Sequence, residues 1–75
     1  MNNLSQELYE SLRLKYNTEI QEYKTTLFIF FENSIGIGDH ANHIDEMNLL
    51  IEKMTSANDK LKMLNLTFGK IYAKL

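Results

Sequence analysis

The sequence predicts an all-α protein built as an antiparallel two-helix hairpin, and three observations predict it. Apolar residues recur about every 3.5 positions through both halves of the chain. Two of the three glycines sit together between those halves, and no proline interrupts either one. No segment alternates apolar and polar residues as a half-buried strand does.

Helix 1 is predicted over residues 3–33. Tyr9, Leu12, Tyr16, Ile20, Tyr23, Leu27 and Phe30 are separated by 3, 4, 4, 3, 4 and 3 residues. That is the period of a helix whose apolar seam faces a partner helix. Leu4 and Leu8 extend the stripe toward the N-terminus. Asn2 or Asn3 supplies the side-chain acceptor of an N-cap. A capping box is absent, because the residue three after Ser5 is Leu8 rather than Glu.

Helix 2 is predicted over residues 41–73. Ile44, Met47, Ile51, Met54, Ala57, Leu61, Leu64, Phe68, Ile71 and Leu75 step by 3, 4, 3, 3, 4, 3, 4, 3 and 4. The two short steps around Ala57 break the heptad, which overwinds a helix pair or marks a change of partner. A strict heptad would instead place Asn58 in the seam as a polar, register-setting residue. Asp39 and Asn42 are the candidate N-caps. Asp45, Glu46 and Glu52 follow in the early turns, and Lys60, Lys62, Lys70 and Lys74 crowd the far half, as the helix macrodipole favours. At 1.5 Å rise per residue each helix is roughly 45–50 Å long. A loop of about 8 residues between two such helices implies an antiparallel pair. The chain reads as a single helical-hairpin domain over residues 1–75.

The hairpin carries more apolar residues than one seam consumes. Leu27, Phe28, Ile29, Phe30 and Phe31 are consecutive, so at about 100° per residue they point all around helix 1. Ile44, Met47, Leu49, Leu50, Ile51 and Met54 lie opposite, and Ile35 and Ile37 occupy the tip. Burial of each large apolar side chain is worth about 1.5–3 kcal/mol. The expectation is an oligomeric helical bundle, with a dimer of hairpins as the simplest closure, or docking on a larger protein. The residues expected to carry association are Phe28, Phe30, Phe31, Ile35, Ile37, Met47, Leu50 and Met54. An aspartate at position 30 is expected to dissociate such an oligomer.

Composition narrows the function classes. The 75 residues include no cysteine, which removes disulfides, cysteine-ligated zinc and thiol nucleophiles. Eight basic against ten acidic residues give a net charge of −2, which is not the footprint of a nucleic-acid binder. The longest apolar run, Leu27–Phe31, is five residues, too short to span a membrane. Met1–Gln6 lacks the basic and apolar regions of a signal peptide. A soluble, cytoplasmic protein is expected.

Four constellations invite chemistry. His40, His43 and Glu46 are spaced by three, with Asp39 and Asp45 beside them. Imidazole and carboxylate suit zinc, manganese or iron. Carboxylate-bridged metal bundles, however, use Glu-x-x-His and further inward glutamates, and here the order is His43-Ile44-Asp45-Glu46. The group reads as a solvated turn with helix caps, and no metal or cofactor is expected. Gly36-Ile37-Gly38 lacks the preceding strand, the third glycine and the Lys-Ser or Lys-Thr of a phosphate loop, and Asp39 stands where phosphate would. Residues 60–75 carry +4 and residues 32–52 carry −5, so the molecule is polarised end to end. The basic end could meet nucleic acid or an acidic protein. The same polarity complements the macrodipole and favours antiparallel or head-to-tail packing of copies. Lastly, Ser5, Ser11, Ser34 and Ser56 lie on helices or at a helix end, away from a nucleophile–base pairing, so catalysis is not expected.

The stretch Ser34-Ile35-Gly36-Ile37-Gly38-Asp39-His40, continuing through Asp45-Glu46 and Glu52-Lys53-Met54 to Asp59-Lys60-Leu61, resembles small helical-hairpin proteins of tailed marine bacteriophages. The likeness spans roughly residues 27–65: an Ile-Gly-Ile-Gly-acid-His turn, then an acidic-to-basic helix. It implies a viral protein acting in the infected cell or the virion, and supplies no catalytic residues. The functional expectation is a structural or assembly protein that associates with itself, a larger protein, or both. The alternative is a small regulator or inhibitor whose acidic half binds a host protein. Nucleic-acid binding through Lys60, Lys62, Lys70 and Lys74 comes third.

Overall fold

The computed structural model describes residues 3–33 and 40–73, apart from the side chains of Asn3, His40 and Ala41. The architecture is an all-α hairpin of two helices, α1 (Asn3–Asn33) and α2 (His40–Tyr72). Both lie within a residue of their predicted bounds. Tyr9 meets Asn65, Tyr16 meets Lys60 and Phe30 meets His43, so numbers rise along one helix as they fall along the other. The helices are therefore antiparallel, and the helix ends joined by the turn lie opposite the open end.

The first helix buries the face that its spacing predicts. Tyr9 and Leu27 are buried, and Tyr16, Ile20, Tyr23 and Phe30 are half-buried. Leu12, at 40% exposure, lies at the seam's edge. Leu4 and Leu8 do not continue the seam. They are exposed, and Ser5 and Gln6 are half-buried instead.

The second helix corrects the predicted seam. Ile44 and Ile51 face outward, while His43 and Leu50 take their places against α1. The inward residues are His43, Met47, Leu50, Met54, Ala57, Leu61 and Leu64, with steps of 4, 3, 4, 3, 4 and 3. This is an unbroken heptad, so no overwinding or change of partner occurs at Ala57. Among the described residues Ala57 is the most buried core residue, at 2% exposure, and Asn58 is only half-buried beside it. Asn42 lies inside α2 and so is not its N-cap. Asn2 and Asp39 lie outside the described residues.

Two short ion pairs, Glu10–Arg13 and Lys15–Glu19, each 2.9 Å, lie within α1 rather than between the helices. The hydrogen bonds that Arg13 donates to the Glu10 carboxylate, helped by its charge, hold the guanidinium pKa above its ordinary value. Glu19 does the same to Lys15. Such solvated pairs add little stability.

The pair is a thin rod of 56 × 16 × 16 Å. Its radius of gyration is 16.6 Å, whereas a compact domain of this length has about 11 Å. The accessible surface is 5879 Å², against about 4,800 Å² for an ordinary folded monomer of this mass. The excess is about 1,100 Å². Tyr9, Leu27 and Ala57 are the buried hydrophobic residues among those described.

Candidate interaction surfaces

Each end of the seam is closed by different chemistry. At the open end the Tyr9 hydroxyl donates a 2.6 Å hydrogen bond to Asn65 Oδ1. A Cβ on Gly69 would lie 3.6 Å from that hydroxyl, so the glycine flanks the tip of the tyrosine. At the turn end the rings of Phe30 and His43 meet edge to face, 5.5 Å apart at 80°. His43 is buried. In between, Lys60 Nζ stands 6.0 Å from the centre of the Tyr16 ring.

These contacts redistribute the expected site residues. Phe30, Met47, Leu50 and Met54 are half-buried and turn toward the other helix of the same chain. Phe28 and Phe31 point outward. Ile35 and Ile37 lie outside the described residues, as do Gly36, Gly38 and Lys74. Of the histidine–carboxylate group, His43 faces the seam while Asp45 and Glu46 are exposed. Among the described residues, no group of three His, Cys, Asp or Glu converges as a metal site. Lys60, Lys62 and Lys70 are exposed, with Lys70 in the last turn of α2. No described helix is long and apolar enough to cross a membrane.

Fourteen large hydrophobic side chains are exposed among the described residues. Seven of them make two patches at opposite ends, and Leu4, Leu14, Ile29, Leu49, Met63, Leu66 and Ile71 are exposed outside both. The turn end carries Phe28, Phe31, Ile44 and Ile51, with Phe31 at 68% and Ile44 at 66% exposure. Each of these four is one residue past a seam member: Leu27, Phe30, His43 and Leu50. They form an apolar ridge. At the open end an apolar cleft of about 240 Å³ lies between Leu8 and Leu12 of α1 and Leu64, Phe68 and Tyr72 of α2. Phe68 and Tyr72 also meet ring to ring, 6.2 Å apart.

The cleft and the Tyr9–Asn65–Gly69 closure were not foreseen from the sequence. Asn65 and Gly69 are four apart on one helical face, which is the one signal that marked them. No family model, curated protein or solved structure matches the chain.

Proposed function

We propose that this protein is a non-catalytic assembly protein, a helical hairpin that completes its fold by packing against further copies of itself. The observation that carries the reading is the surplus of exposed apolar surface. Monomeric proteins rarely leave large contiguous apolar patches in water, and a stable interface takes about 800 Å² from each partner. The whole surface, polar and apolar together, exceeds that of a compact monomer by about 1,100 Å², which leaves room for an interface of that size. Catalysis has little support, because the open-end cleft is shallow and apolar and no nucleophile–base pair faces it. The resemblance to phage hairpins would place such a bundle in a virion or an infected cell.

The test is molar mass in solution across a wide concentration range, with helicity followed by circular dichroism. The expected masses are multiples of 8.8 kDa that rise with concentration. A fully helical chain of 8.8 kDa at every concentration would sink the reading. In that case an inhibitor acting through exposed Asp45 and Glu46 becomes the better account, tested by loss of one stoichiometric partner from D45N/E46Q.

A further inference from the structure

The two apolar patches differ in shape, side and end, and these differences specify how copies meet. Both helices are right-handed and run in opposite directions. One residue forward from the seam therefore leads to the same side of the rod in either helix, and one residue back leads to the other side. Phe28, Phe31, Ile44 and Ile51 are all forward steps, so the ridge lies on one side. Leu8 is a backward step from Tyr9, and the Tyr9 hydroxyl covers Asn65 and Gly69, the forward steps from Leu64 and Phe68, so the cleft opens on the other side.

Along the ridge's side the open end is mostly polar, with exposed Leu14 the exception. The same forward step from Tyr9, Tyr16, Ala57 and Leu61 reaches Glu10, Asn17, Asn58 and Lys62. Two hairpins packed antiparallel through this one side would each press an apolar ridge onto polar side chains. Two packed in parallel would bring their ridges together but would also superimpose like charge. Residues 17–59 of the turn half carry −6, and residues 1–16 with 60–75 carry +4. Opposite ends attract, and like ends repel.

We infer that the ridge of one copy seats in the cleft of a second copy lying antiparallel on it. Acidic turn half then faces basic open half, and Phe31 enters the space between Leu12 and Phe68. The space suffices, because a cavity of about 150 Å³ lined by aliphatic and aromatic residues already accepts benzene, and this cleft holds about 240 Å³. The contact joins two different patches, so it is heterologous. Each added copy presents a fresh ridge and a fresh cleft, and the assembly grows past a dimer unless its rotation closes a ring. This inference rests on the self-association proposed above and adds the geometry of the contact.

Two variants separate the possibilities. Phe31→Lys blocks the ridge and Leu8→Lys blocks the cleft, and both positions are exposed in the hairpin. Each variant alone is expected to keep wild-type helicity and to be monomeric where the wild type is oligomeric. Their equimolar mixture is expected to form a species of two chains and to stop there, one good ridge meeting one good cleft. A mixture that stays monomeric, or a single variant that associates like the wild type, overturns the heterologous contact while leaving self-association standing. A wild type that is monomeric throughout overturns both.

Discussion

At the open end of the hairpin a phenol reaches across to an amide beside a glycine. At the turn end an aromatic ring meets a buried imidazole, in the same half as buried Leu27. A hydrogen bond exchanged against water yields about 1 kcal/mol, whereas a buried leucine side chain is worth about 1.5–3 kcal/mol. Leu27 should thus contribute more than the Tyr9 hydroxyl, which fixes the register, while the buried Tyr9 ring adds an apolar contact of its own. Direction supports this division. The 2.6 Å bond between Tyr9 and Asn65 tolerates little sliding, and apolar contacts tolerate more.

The comparison can be broken at either end. Leu27→Ala should have the largest effect, a loss of about 2–3 kcal/mol read from denaturant unfolding of the helical signal. A loss below that of the tyrosine variant would reverse that ranking. Tyr9→Phe removes only the hydroxyl and should cost about 1 kcal/mol. Thermal melts of the two variants under identical conditions give the order directly. The smallest change, Gly69→Ala, should stabilise α2 by about 0.5–1 kcal/mol through helix propensity. The added methyl would sit at ordinary contact distance, 3.6 Å from the Tyr9 hydroxyl. Destabilisation by this variant would show that the tyrosine needs a bare backbone beside it.

The helices and their ends were legible because apolar spacing and the paired glycines both mark them. The face of α2 was less legible for a specific reason. A reading that follows apolar residues selects Ile44 and Ile51, yet the helix turns His43 and Leu50 inward. Histidine at the first seam position hides the phase. Counting back from Leu64 in strict 3–4 alternation recovers it through Leu61, Ala57, Met54, Leu50 and Met47 to His43. The expected interaction residues fall into two groups. Phe30 serves the hairpin's own seam, so an aspartate there would first open the hairpin rather than dissociate copies of it. Phe28 and Phe31 remained as outward residues, and the cleft stayed hidden because it is assembled from two helices far apart in sequence.

The thinness of the rod has a calorimetric consequence. Unfolding raises the heat capacity in proportion to the apolar surface newly wetted. A hairpin with three buried hydrophobic side chains among its described residues wets little. Its isolated melt should be broad and its stability curve nearly flat with temperature. Association would sharpen the transition and bend the curve, so the width of the melt would itself record how many neighbours each chain had.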